Sequence, residues 1–334
     1  MSNPSCFRRR SGLWIEGLAG GRRSCPSWRL FLSQHGTKGK LRGTPGRIPR
    51  ELVIPARPGQ LIVFTSRPGH GKTSFLARWA KVEARRIQAR GMADRECVIY
   101  VTMEQVAEEM ESFFQGGEGK YSITDFAWGR VDLDVIRREA VKRAGLPIWV
   151  IGHGIGRAGQ GAPRMFPETI MAAIESMRED FGVQPTLLCF DYMQLFPIRD
   201  ARERVQQVTE APIRIKEVAS RVGAVAAVGA QARQEVDDYK EKIPTSRDAQ
   251  WASSIHQTAD KHFVFMRPAA YQEGGLIEIE GEPGSLQVTQ NLFIMRMLKQ
   301  RFAPGRHQWL LHFDPALLRL EELDVRSKAI DVDY

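Results

Sequence analysis

An apolar run, "QLIVFTS" at residues 60–66, passes directly into "RPGHGKTSF", and from residue 72 "KTSFLARWAKVEARRIQA" carries the spacing of an amphipathic helix. A strand, a Gly-bearing turn and a helix opening on Lys-Thr form the pattern of a phosphate-binding loop, G-x-x-x-x-G-K-[ST]. Such a loop works because successive backbone N–H groups face inward at a helix N-terminus, where the dipole also favours negative charge. Ser66 stands where the pattern has its first Gly, and Arg67, Pro68, Gly69, His70, Gly71, Lys72, Thr73 and Ser74 follow. The extra Cβ is tolerable if Ser66 keeps a negative φ, and it leaves the Gly71-Lys72-Thr73 cradle intact. In that cradle Gly71 lets the backbone approach, Lys72 contacts the β- and γ-phosphates, and the Thr73 hydroxyl ligates Mg2+.

From residue 59 onward, short apolar runs alternate with helix-like segments. The runs are "QLIVFTS", "CVIYVT" (97–102), "LPIWVI" (146–151), "TLLCFD" (186–191), "AVAAVGA" (224–230) and "KHFVFM" (261–266). Between them, "ETIMAAIESMREDF" places Ile170, Ile174, Met177 and Phe181 on one helical face. This alternation predicts an α/β fold, a mostly parallel sheet covered by helices. "VQQVTEAPIRIKEVASRV" also has helical spacing, with Pro212 expected to kink it or to start a new helix. After residue 275, "GLIEIEG", "LFIMRML" and "HQWLLHF" read as antiparallel strands added to the sheet edge.

A chain of 334 residues can hold one large α/β domain or two small ones. Its net charge of +9 is unevenly placed: residues 1–50 hold eleven Lys or Arg against Glu16 alone, and the remainder is close to neutral. That basic segment, expected to lie outside the fold, reads either as a phosphate-gripping arm or as a disordered leader. It lacks the apolar core of a secretion signal, and an Arg-rich transit peptide is a third reading. No stretch approaches the roughly 18 apolar residues of a membrane span. The four cysteines, Cys6, Cys25, Cys97 and Cys189, lie far apart with no zinc spacing, which fits a reducing, cytoplasmic compartment.

Two carboxylates end apolar runs. Asp191 closes "LLCFD", where it is placed to hold the Mg2+ shell through water, although an Asp there also serves as a turn cap. Glu104, in "VIYVTME", is placed to orient and deprotonate an attacking water, or else to sit in a helix's first turn. "GIGRAG" (154–159) matches G-x-G-x-x-G after a strand, but "QGAPRMFP" follows instead of a helix, so it reads as a loop. His70 and His153 read as loop residues rather than metal ligands.

In order, "GQLIVFTSRPGHGKTSF", "VIYVTMEQVAEEM", "LLCFDYMQLF", "IKEVASRVGAVAAVGAQARQEVD", "SSIHQTADKHFVFMR" and "MLKQRFAPG" resemble the RecA-like motor domain of the DnaB-type replicative helicases, over about residues 55–320. The resemblance implies a RecA-like P-loop ATPase core at 51–323, between the basic segment 1–50 and a tail at 324–334. It also implies ATP and Mg2+ as cofactors, single-stranded DNA as partner, a hexameric homo-oligomer, and 5'-3' unwinding during replication. By the same resemblance Lys72 and Thr73 bind phosphate and Mg2+, Glu104 is the catalytic carboxylate, and Asp191 is the Mg2+-associated Asp. Gln231 senses the γ-phosphate and passes its state to the DNA loops, while Lys299 and Arg301 reach into the neighbouring subunit's site. Arg233, Gln250, Trp251 and Ser253 fall in the DNA-contacting loops.

The chain also departs from the family. Gln250 and Trp251 stand where the family has Arg and Glu, and His256 and Thr258 replace acidic residues. The basic segment is too short to form the family's helical N-terminal domain, so contact with a primase or loader stays open. The reading is an ATP-driven DNA helicase. Its rival is a regulatory RecA-like ATP switch that binds DNA or a protein without unwinding.

Overall fold

The computed structural model describes residues 14–15, 56–116, 121–152, 165–199, 204–248, 252–280, 282, 284–301 and 307–322. In chain order the elements are β1 (Trp14–Ile15), β2 (Leu61–Ser66), α1 (Lys72–Ala89), β3 (Glu96–Thr102), α2 (Ala107–Gln115), α3 (Ile123–Ala127), α4 (Leu133–Ala144), β4 (Ile148–Gly152), α5 (Pro167–Phe181) and β5 (Gln184–Asp191). There follow α6 (Arg204–Val222), β6 (Val225–Gln231), α7 (Ala252–Thr258), β7 (Lys261–Met266), β8 (Leu276–Glu278), β9 (Ser285–Gln287), β10 (Leu292–Gln300), β11 (His307–Asp314) and β12 (Arg319–Glu322).

Six strands run parallel in the order β4-β3-β5-β6-β2-β7. Their apolar runs are nearly continuous because both sheet faces are covered. In β2 all six residues are buried. Ile62 and Phe64 enter the core under α1, and Leu61 and Val63 enter the core under α5 and α6. Beyond β7 the sheet continues antiparallel through β10, β11 and β12. Among the described residues no helix is long and apolar enough to cross a membrane.

Several expectations need correcting. The 275–287 region does not extend the main sheet: β8 and β9 pair with each other as a separate hairpin over a small core that includes Ile243, Ile279 and Ile294. Pro212 does not start a new helix, because α6 runs through it as one element. Burial of Ala211, Ile215, Val218, Ala219 and Val222 against the sheet holds that helix despite the backbone hydrogen bond lost at Pro212. Trp14 and Ile15, from the segment expected to lie outside the fold, pair antiparallel with Gly152 and Ile151 at the sheet edge. "GIGRAG" and His153 lie outside the described residues.

Candidate functional site

Parallel strands bring their carboxyl ends to one edge, and in open α/β sheets ligands bind there. Ser66 pairs with Gln231 in register, and Thr102 pairs with Asp191. The phosphate loop after β2, Glu104 after β3, Asp191 ending β5 and Gln231 ending β6 therefore share one edge.

The loop has the required backbone. Gly69 and Gly71 hold φ of 76° and 85°, a region that penalises residues with a Cβ. Ser66 is not among the described residues with positive φ, so its Cβ costs no strain; it is fully buried and bonds to the Arg67 carbonyl. Gly71 caps α1 without a side-chain partner, and the first helical bond runs from the Phe75 N–H to the Gly71 carbonyl. The N–H groups of Lys72, Thr73 and Ser74 thus precede the helical ladder, and no acidic residue stands in the first turn to repel an anion. Beneath the loop, the Phe75 ring packs among those of Phe64, Phe265, Phe293 and Phe313.

The electrostatics are those of a site prepared for anion and cation together. Burial lowers the Lys72 pKa, and Asp191 and Glu104 oppose that shift, which places both carboxylates within electrostatic reach of the ammonium. Lys72 Nζ stands 5.8 Å over the Tyr192 ring. Burial raises the Asp191 carboxyl, opposed by the Thr73 hydroxyl, the Tyr100 hydroxyl and Lys72. Tyr100 donates to Asp191 Oδ2 at 2.9 Å, while the buried Oδ1 has no hydrogen-bond partner. A divalent cation beside Thr73 and Asp191 would satisfy that oxygen and reverse the cost of burying the charge, so these residues fit Mg2+. Glu104 is exposed. Its turn is fixed by the Met103 N–H bonding to the Asp191 carbonyl at 3.0 Å and by the Thr102 hydroxyl bonding to the Gln105 carbonyl at 2.7 Å.

Other candidate residues serve the loop's frame. His70 is buried, and its Nδ1 accepts the Arg267 N–H at 3.0 Å. Burial, with Lys72 nearby, lowers its pKa to about 4, so it is neutral and ties the loop to the end of β7. Arg67 pairs with Asp237 at 2.8 Å. Pro68 is exposed, whereas Ser74 is buried. Gln194, buried in the 3-10 turn Met193–Leu195, went unnoticed in the sequence. Its amide donates to the Gln231 carbonyl and accepts the Gln231 N–H, both at 3.0 Å, locking the end of β6 beside Asp191. The available signal was a lone amide among apolar residues in "DYMQLF".

Lys299 and Arg301 are not brought to this site. Gln300 pairs with Lys261, and Lys261 with Ile62, so this end of β10 lies level with the start of β2, about 13 Å along the strands from Ser66. Arg301 Nε bonds to Asp260 at 3.1 Å, and Lys299 donates to the carbonyls of His256 and Gln257 at the end of α7. Arg233, partly exposed, bonds to Asp248 at 2.9 Å. Gln250 and Trp251 lie outside the described residues, and Ser253 lies in α7.

This architecture has relatives. The replicative DNA helicase DnaB of Leifsonia xyli subsp. xyli (strain CTCB07) is 22% identical over 227 residues, which is 67% of this chain and 46% of that protein. The chain thus spans about half the length of that relative. Among solved structures, an ATPase domain superposes with a TM-score of 0.63 at 17% identity, covering 80% of this chain and 86% of that one. A DnaB-like replicative helicase, solved with regard to its interactions with primase, gives a TM-score of 0.64 at 18% identity, covering 80% and 58%. The model of the DnaB-like helicase C terminal domain matches residues 52–321. The chain, with its RecA-like core and its phosphate loop at the carboxyl edge of the sheet, belongs to the DnaB-like helicase C-terminal domain family.

Proposed function

We propose that this chain is the motor of an ATP-dependent DNA helicase, a cytoplasmic hexameric ring that couples ATP hydrolysis between subunits to 5'-3' movement on single-stranded DNA in replication. The observation that carries the reading is the buried Asp191 carboxylate, whose Oδ1 lacks a hydrogen-bond partner, within reach of Thr73 and Lys72 at the phosphate loop. ATP lies with its phosphates on the N–H groups of residues 69–74 and on the Lys72 ammonium. Thr73 and Asp191 would hold Mg2+, which would supply charge neutralisation at the phosphates. Glu104 orients and deprotonates the attacking water, as its exposure at the mouth of the site allows. Gln231, clamped by Gln194, stands where a change at the γ-phosphate reaches the segment leading to Gln250, Trp251 and Ser253. Arg233 and those three residues contact DNA, with Trp251 offering a stacking face worth about 1 to 3 kcal/mol per base.

Lys299 and Arg301, remote from their own loop, complete the neighbouring subunit's site. An arginine given in trans is worth about 10³ to 10⁵ in rate, so an isolated subunit is nearly inactive. One observation favours a second reading, a regulatory ATP switch: Arg301 and Lys299 are both engaged within their own chain, as in a resting state. Hydrolysis measured with and without single-stranded DNA, alongside displacement of a strand from a forked duplex, separates the two. The motor hydrolyses faster on DNA and displaces the strand. Hydrolysis indifferent to DNA, without displacement, belongs to the switch.

A further inference from the structure

Arg67, in the phosphate loop, is held at both ends of its guanidinium. Its Nη2 lies 2.8 Å from Asp237 Oδ2 and its Nε 3.0 Å from Oδ1, while Nη1 donates to the Ala232 carbonyl at 3.2 Å. Asp237 belongs to the 3-10 turn Gln234–Asp238, which begins three residues after Gln231. Its Oδ1 also accepts the Tyr271 hydroxyl at 2.6 Å, and the Tyr271 ring lies 5.1 Å from that of His70. Lys242 closes the cluster, donating to the Asp237 carbonyl and standing 5.1 Å over the Tyr271 ring. Partial burial pushes the Asp237 carboxyl up, but the bonds from Arg67 and Tyr271 prevail and hold it below its ordinary range. The pair is charged at neutral pH.

A second carboxylate closes the same segment on itself. Asp248 Oδ1 accepts from Arg233 and Tyr239, its Oδ2 accepts from the Thr245 N–H and hydroxyl, and its carbonyl accepts the Arg233 N–H. Residues 233–248 therefore form one braced loop. It is clasped internally by Asp248 and attached to the phosphate loop through Asp237, and it ends two residues before Gln250.

We infer that Asp237 is a positioning residue through which nucleotide occupancy of the phosphate loop reaches the 233–248 loop, by a route separate from Gln231. Arg67 lies within electrostatic reach of Lys72, so an anionic phosphate on the loop would draw its guanidinium away from Asp237, and the bond to Asp237 would differ between the empty and filled loop. That difference is what coupling between two sites requires. The inference rests on the motor reading for its output on DNA, whereas the link from nucleotide to loop operates without DNA.

Hydrogen exchange of the full chain, with and without Mg2+ and a non-hydrolysable ATP analogue, tests it. Peptides spanning 66–76 should be protected by the analogue in the wild type and in Asp237→Asn. Peptides spanning 233–248 should respond to the analogue in the wild type, lose that response in Asp237→Asn, and regain part of it in Asp237→Glu. In the same variants DNA stimulation of hydrolysis should fall about 10-fold in Asp237→Asn, with no loss of affinity for the analogue, since the carboxylate that competes for Arg67 is gone. A 233–248 response equal in wild type and Asp237→Asn overturns the inference, as does no response in a wild type whose phosphate loop is protected. If wild-type hydrolysis ignores DNA while the loop response still needs Asp237, the motor reading falls and the coupling stands. If the analogue protects nothing in the wild type, both fall. Should Asp237→Asn lose its helical circular dichroism, Arg67→Lys, which keeps the charge but cannot hold both Asp237 oxygens and the Ala232 carbonyl at once, carries the same comparison.

Discussion

Lys72 and Asp191 show what burial does to charge at this site: water is removed from both, and each offsets part of the other's loss. Removing the ammonium in Lys72→Ala should lower kcat for ATP by about 10² to 10³, the cost of losing one well-placed electrostatic stabiliser, as steady-state hydrolysis would register. A second prediction concerns acid. Burial lowers the pKa values of His70 and His262 to about 4 and about 3, against an ordinary 6.5. Both are neutral in the fold, and below pH 6.5 the unfolded chain takes up protons that the folded chain refuses, so stability falls as pH falls. For His70 alone the loss is about 2 kcal/mol at pH 5. Urea midpoints at pH 7.5 and pH 5 should therefore differ less in His70→Gln than in the wild type; equal pH dependence would contradict its buried neutral state. The positions of Lys72, Thr73 and Asp191 at or after strand ends follow from their offsets to apolar runs, whereas Gln231 enters only through the family resemblance. The bond from Arg67 to Asp237 was not legible in the sequence, since it joins residues 170 positions apart and neither motif requires it.

At the scale of elements, the phosphate loop and α1 rest on an aromatic shelf. A Cβ on Gly71 would meet Phe313 Cε1 at 3.2 Å, in a backbone region that already disfavours side chains. Gly71→Ala should therefore lose about 1 to 2 kcal/mol of stability and bind a fluorescent ATP analogue more weakly, as unfolding and titration would record. Unaltered binding would mean that the loop does not need its left-handed turn. The limits of α1 and the six parallel strands could be read from apolar periodicity, which is strong where both faces of a sheet are covered. Helices α2, α3 and α4 escape the periodicity reading: α2 and α3 are short, no residue of α3 is buried, and α4 buries only Arg143, so it lacks an apolar stripe. "GLIEIEG", the β8 segment, pairs with β9 and not with the main sheet, because strand pattern reveals alternation and not the identity of the partner. Of the two expectations for Pro212, a new helix start fails, since local propensity is a weaker influence than the burial of α6.

For the whole molecule, strand direction is decisive. It gathers Lys72, Glu104, Asp191 and Gln231 at the carboxyl edge, and it leaves Lys299 and Arg301 near the opposite one. A cation so far from its own phosphate loop serves catalysis only if another copy of the chain presents its loop; that such contacts close into a ring is what the helicase resemblance implies. Arg301 must then exchange Asp260 for the neighbour's phosphate, a swap between two anions. The most direct test mixes two inactive variants, Lys72→Ala and Arg301→Ala, and measures hydrolysis on single-stranded DNA. The Lys72→Ala subunit keeps Arg301 and can donate it to the intact loop of its Arg301→Ala neighbour, so activity should return in the mixture while each variant alone stays nearly silent. Full activity of Arg301→Ala by itself, or a mixture no more active than its components, would contradict a catalytic site shared between subunits.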